Sequence, residues 1–144
     1  MIGKINKTLV EDKLSRMVEY IKELEPMLKL DTAFLLDKNN YRDLRALERD
    51  FQLIVDVMIE INSHLIKQLE LNIPDDYTNS FITLGQNNIL PAEFTNGLAK
   101  VVGLRNKVVH KYDIIDQKKF INDLKTNAGQ FGEYMRLVNE CLKK

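Results

Sequence analysis

The chain has 144 residues, 44% of them apolar, and its 21 Lys and Arg balance its 21 Asp and Glu. That length makes room for one domain, residues 1–144, with a core that stands without disulfide or metal support. The balance excludes a disordered acidic chain and a uniformly basic nucleic-acid coat. The longest apolar run, Ala33–Leu36, is too short to cross a membrane. A single cysteine, Cys141, excludes a disulfide framework and a cysteine zinc site. Residues Met1–Lys7 are polar with no apolar stretch behind them, so we expect no secretory signal and a cytoplasmic location.

Val10, Leu14, Met17, Ile21, Leu24 and Leu28 step by three and four and predict a first helix, with an irregular last turn at Pro26. From about Asn40 to Leu71, Leu44, Leu47, Phe51, Ile54, Met58, Ile61 and Leu65 continue the same spacing. Val55, Val57, Ile59 and Ile66 widen that stripe beyond one face, which predicts a central helix that touches its own bundle and a second chain. The charged residues Arg42 to Asp50 mark its start as the more solvated part. Pro74-Asp75-Asp76 offers carboxylate caps for a short helix, Tyr77 to Leu84, followed by a loop at Gly85-Gln86-Asn87-Asn88.

Pro91 suits the start of the next helix, whose positive end Glu93 complements. Phe94, Leu98, Val101, Val102, Leu104, Val108 and Val109 carry it to about Tyr112. Asp116 is the expected cap of a last helix on which Phe120, Leu124, Ala128, Phe131, Met135, Val138 and Leu142 form one stripe. No segment shows sustained period-two alternation. The expected fold is all-α: an up-and-down four-helix bundle with one extra short helix, homodimeric.

Most enzyme signatures are missing: no Gly-rich phosphate loop, no Gly-x-Ser-x-Gly and no His-Glu-x-x-His. Neither His64 nor His110 has a Glu three residues before it, so a carboxylate-bridged metal pair is disfavoured, and no cofactor or metal is expected. His64 lies beside the core stripe and reads as a packed or interface histidine. The stretch Gly103-Leu104-Arg105-Asn106-Lys107-Val108-Val109-His110-Lys111-Tyr112 stands out for its Arg-x4-His-x-Tyr pattern. A planar guanidinium grips phosphate oxygens bidentately and stabilises charge that builds in a transition state. An imidazole titrating near neutral pH takes a proton from an RNA 2′-hydroxyl or gives one to the leaving 5′-oxygen. Such a reaction leaves a 2′,3′-cyclic phosphate.

On a straight helix Arg105 and His110 lie about 140° apart, whereas Asn106 and His110 share a face. A pocket holding both therefore needs an unwinding helix end or a second subunit. A twofold dimer would bring two copies of His110 as base and acid, and two copies of Arg105.

These residues also carry a resemblance. The chain resembles the HepT-like branch of the HEPN family. It does so through Ala46-Leu47-Glu48-Arg49-Asp50-Phe51, Pro74-Asp75-Asp76-Tyr77, Phe81-x-x-Leu84, Ile89-Leu90-Pro91 and, most specifically, Arg105-Asn106-x-x-Val109-His110-x-Tyr112. The resemblance implies a dimeric, metal-independent ribonuclease toxin, encoded beside a minimal nucleotidyltransferase (MNT) antitoxin. It implies Arg105 and His110 as the catalytic pair, with Asn106 and Tyr112 supporting them. In similar systems the antitoxin transfers AMP to a tyrosine in or beside this motif. The position two after the arginine here is Lys107, which cannot accept AMP, so Tyr112 is the expected acceptor.

Residues 11–70 carry nine positive and thirteen negative charges, while residues 100–119 carry six positive and two negative. Neutrality is thus an average over a polarised chain. The positive segment coincides with the motif, and Lys107 and Lys111 are its expected RNA-phosphate contacts. Two other readings use the same frame: a non-catalytic HEPN module that docks a nucleotidyltransferase or holds nucleotide, and a purely structural adaptor.

Overall fold

The structure is a computed structural model that describes residues 5–110 and 117–144, and of residues 77, 78, 102 and 105–110 the backbone alone. Asn6 starts α1 (Lys7–Leu28) by accepting from the Leu9 amide at 3.0 Å. Val10, Leu14, Met17 and Leu24 are its buried residues. The helix runs past Pro26, and its end closes with Lys29 N donating to Pro26 O and Leu30 N to Met27 O, both at 3.2 Å. Those i to i+3 bonds are the irregular last turn that the proline implied. A short helix that the periodicity did not announce, α2 (Thr32–Leu36), takes up the Ala33–Leu36 run and buries Leu35. One 3-10 turn, Lys38–Asn40, leads into the next helix.

α3 (Tyr41–Gln68) is central, packed by α1 and α2 of the same chain and by the helices that follow it. Every residue of its predicted stripe is buried, and so are Val55, Val57, Ile59 and Ile66. The widened stripe is therefore covered within one chain, and its width carries no argument for a second. The charged start also differs from expectation: Arg45 and Arg49 are exposed, but Glu48 is half-buried and Asp50 is buried. Asp50 sits on the inward side of the stripe, one residue before Phe51, where α1 brings Glu23 against it. The helix ends in a Schellman turn, with Leu71 N donating to Ile66 O at 3.0 Å and Glu70 in the left-handed position at φ 58°.

α4 (Tyr77–Gln86) is capped by Asp76, whose Oδ1 accepts from the Asn79 amide at 2.9 Å. It continues through Gly85 and Gln86, which the sequence had placed in a loop. α5 (Ala92–His110) crosses there: a Cβ on Gly85 would lie 2.2 Å from Thr95 Oγ1 and 3.1 Å from Ala92 Cα. Glycine is thus demanded by a close approach rather than by a turn. The turn is made instead by Asn88 at φ 59°, with Asn88 N on Gly85 O at 3.2 Å and Ile89 N on Leu84 O at 2.9 Å. Pro91 stands just before α5, its carbonyl accepting from Thr95 N at 3.0 Å.

The last predicted helix is two, α6 (Gln117–Asn127) and α7 (Gly129–Lys143). Thr126 Oγ1 bonds back to Asn122 O at 2.9 Å and Asn127 Nδ2 to Asp123 O at 2.7 Å, drawing on carbonyls of the α6 ladder just ahead of Gly129. Side-chain back-bonding and a weak helix former together break the run without leaving its face. Phe120, Leu124, Phe131, Val138 and Leu142 are all buried along it. The expected cap, Asp116, lies outside the described residues.

One cluster of buried side chains runs from Ile5 to Leu142. Phe51 joins three helices, its ring 5.5 Å from Phe120 edge-on and 6.5 Å from Phe131. A polar knot lies inside: Tyr134 OH donates to Asn62 Oδ1 at 2.7 Å, with Met58 O at 3.2 Å, and Asn62 Nδ2 donates to Ser80 Oγ at 3.1 Å. It registers α7, α3 and α4 against one another, because each buried polar atom is stranded if a helix slides. Among the described residues all regular structure is helical, and no helix is long and apolar enough to cross a membrane.

Candidate active site

The motif occupies the end of α5. This helix is fixed upstream by buried Thr95, Leu98 and Val101 and by the close crossing at Gly85. From there it runs without a break through His110. Arg105 and His110 therefore keep their separation of about 140° around the axis. Arg105 follows buried Val101 by four residues and shares its flank; His110 follows Gly103 by seven and shares the other. Asn106 and Lys107 fall on the Gly103–His110 stripe. By backbone register, Asn106, Lys107 and His110 share one stripe of the helix and Arg105 lies off it. Of the two routes to a joint pocket, an unwound helix between Arg105 and His110 is not what this backbone does. Lys111 and Tyr112, the remaining motif residues, lie outside the described residues.

Beside the motif the structure shows a feature that spacing alone did not reveal. α5 and α6 border a cleft of about 400 Å³, lined by Lys100, Val101, Gly103 and Leu104 of α5 and by Lys119, Asp123 and Asn127 of α6. Lys119 Nζ pairs with Asp123 Oδ2 at 3.0 Å. The positive segment of the sequence contained both lysines; that they face each other across a cleft needed the fold.

His64 is structural. Its Nε2 accepts from the Asn6 amide at 3.2 Å and so pins the start of α1 to α3. Burial, then Lys13 and Lys67, hold its pKa below the usual histidine range, so the neutral imidazole is the form that makes this bond. Asp50 moves the other way. Burial pushes its carboxyl up to about 7, helped by a hydrogen bond with Glu23 and by that residue's charge, with Arg49 opposing. Burial also pushes the Cys141 thiol up, away from the reactive thiolate. Among the described residues no cluster of three or more His, Cys, Asp or Glu is placed to hold a metal ion.

Residues 17–138 match the profile of the family described as Ribonuclease HepT-like. The chain belongs to the HepT-like family. A tRNA nuclease HepT from Aphanizomenon flos-aquae is 30% identical over 140 residues, covering 96% of this chain and 92% of that protein. An mRNA nuclease HepT from Shewanella oneidensis is 23% identical, covering 90% of this chain and 96% of the relative. Among solved structures, the tri-AMPylated Shewanella oneidensis HEPN toxin in complex with MNT antitoxin superposes with a TM-score of 0.82. Identity there is 23%, over 91% of this chain and 96% of the other. The fold is thus similar to that of the HEPN toxin, and the last turns of α5 carry the motif that the sequence singled out.

Proposed function

We propose that this HepT-like protein is a metal-independent endoribonuclease, the toxin of a pair whose antitoxin is a minimal nucleotidyltransferase. The observation that carries the reading is the match of residues 17–138 to a ribonuclease family, with Arg105 and His110 both on one unbroken helix end. One imidazole takes the proton of an RNA 2′-hydroxyl. The 2′-oxygen bonds to phosphorus, the bond to the 5′-oxygen breaks, and an imidazolium returns a proton to that leaving oxygen. Arg105 neutralises the charge on the non-bridging oxygens as it builds. Because Arg105 and His110 occupy opposite flanks of α5, a homodimer supplies the site best, with the second copy adding the second imidazole and guanidinium. Asn106, one turn before His110, orients the imidazole, and Lys107 and Lys111 hold flanking phosphates.

The named relatives act on tRNA and mRNA, which makes bulk tRNA the first substrate to try. With EDTA present, wild-type protein cleaves it to 2′,3′-cyclic phosphate ends. Arg105→Ala and His110→Ala each lose on the order of 10²–10⁴-fold in rate while keeping the wild-type melting midpoint. Intact RNA after phosphodiesterase treatment of the protein to strip bound AMP would overturn the reading. Tyr112 is the proposed acceptor of AMP from the antitoxin: its hydroxyl attacks the α-phosphate of ATP and pyrophosphate leaves. The added phosphate then competes with RNA for Arg105. Peptide mass spectrometry after co-expression with the nucleotidyltransferase checks the position.

A further inference from the structure

The α5–α6 cleft has no role in the chemistry above, and three observations give it one. The first is Gly103. Unlike Gly85, it is under no packing constraint, since a Cβ there would meet nothing within 4 Å. A mid-helix glycine costs about 0.5–1 kcal/mol relative to alanine, so here it gives up helix stability and gains only an open floor. The second is charge. Lys100 is exposed on the α5 wall, and Lys119, with a side chain 68% exposed, stands on the α6 wall beside Asp123. Among the described lining residues, two lysines stand against one carboxylate. The third is register: Gly103, Asn106, Lys107 and His110 form one stripe, so the cleft opens onto the flank that leads to His110, roughly 10 Å further along the axis.

The far wall is built to stay in place. Asn127 is tied at both ends of its amide, donating to Asp123 O at 2.7 Å and accepting from Gln130 Nε2 at 2.9 Å. α6 itself is moored by Lys125 Nζ on Leu30 O at 2.6 Å and by Thr32 Oγ1 on Asn122 Oδ1 at 3.0 Å.

We propose that this cleft is a second phosphate subsite, holding the RNA backbone a short way from the scissile bond between Lys100 and Lys119, above Gly103. The proposal rests on the ribonuclease reading and deepens it: a substrate long enough to reach the cleft is held at two places on α5. Asp123 tunes the grip, because an incoming phosphate competes with its carboxylate for Lys119.

The test is anisotropy of fluorescein-labelled tRNA with His110→Ala protein in EDTA, paired with steady-state cleavage by the active chain. Lys100→Gln and Lys119→Gln each weaken binding roughly three- to tenfold at low salt, and each lowers the slope of log affinity against log salt by about 0.7–0.9. Gly103→Leu fills the floor, weakening binding without lowering the melting midpoint. Asp123→Asn tightens binding, which a merely structural carboxylate would not do. In the active chain the lysine losses appear in KM rather than in kcat. If the protein cleaves tRNA but these substitutions leave affinity and KM unchanged, the subsite falls and the ribonuclease reading stands. If wild type leaves tRNA whole but binds it with these dependences, the ribonuclease reading falls and the subsite stands. If it neither binds nor cleaves tRNA, both fall.

Discussion

Along its 28 residues α3 buries thirteen, whereas α5 has Thr95, Leu98 and Val101 as its buried residues among those described. The two helices differ in charge as well as in packing. The segment around α3 is net negative, and Lys13 of α1 pairs with Glu60 of α3 at 2.8 Å. The segment from the middle of α5 into α6 is net positive and opens a cleft. One region commits its side chains to the interior, and the other carries its net positive charge beside a cleft.

The division is broken most severely at Phe51, the ring that ties α3 to α6 and α7. Phe51→Ala removes a fully buried ring and leaves a cavity, at a cost of about 3–5 kcal/mol. Urea denaturation measures it. If the core and the α5 end are separable in energy, RNA affinity at low denaturant stays near wild type while the midpoint drops.

The pH dependence of the core comes next in size. The folded pKa of Asp50, about 7, lies above the ordinary carboxylate value of 3.8. The folded state therefore binds more protons than the unfolded chain between those values, and the stability tied to the protonated Asp50–Glu23 contact is lost as pH rises through 7. His64 has the opposite sign: its folded pKa is lowered, so its contribution is present above 6.5 and lost as pH falls below that. Asp50→Asn isolates the first effect. Its stability relative to wild type should climb between pH 4 and pH 7 and then level off, as measured by urea midpoints across that range.

How much of this was legible before the fold was seen depends on what the neighbours contribute. The buried residues of α1 and α3 follow from periodicity, since spacing of three and four admits one inward face. The Asp76 cap and the irregular turn at Pro26 are equally local. What escaped was set by partners distant in sequence. Gly85 reads as a loop residue until Thr95 is placed 2.2 Å from its missing Cβ. Asp50 reads as a surface charge until Glu23 is brought against it. Tyr134, Asn62 and Ser80 carry no pattern at all, because their hydrogen bonds join three helices. The motif was legible as chemistry, but the cleft beside it was visible only as an excess of lysine.

Gly85 also offers a finer test of how the core positions the motif. Gly85→Ala forces the α4–α5 crossing apart against the backbone at Ala92, and overpacking outweighs the gain in helix propensity by about 1–2 kcal/mol. Pairing it with Thr95→Ala removes the nearest obstacle, so a double-mutant cycle should show partial rescue. A catalytic rate that falls with Gly85→Ala and recovers in the pair would show that the crossing sets the pose of α5.

The smallest effect separates Gly132 and Gly103, two of the three described glycines that stand in open space. A Cβ on Gly132 or on Gly103 meets nothing within 4 Å, so packing treats them alike. Both lie within a continuous helix, and in both alanine should stabilise by about 0.5–1 kcal/mol. They differ in what lies above them: Gly132 is exposed on α7, while Gly103 forms the floor of the cleft. Gly132→Ala should raise the melting midpoint and leave tRNA affinity where it was. Gly103→Ala should raise it similarly and weaken tRNA binding slightly, less than Gly103→Leu does. Equal affinities for the two alanine variants, at equal gains in stability, would mean that a single methyl group does not reach the bound backbone, and would place the phosphate higher in the cleft than its floor.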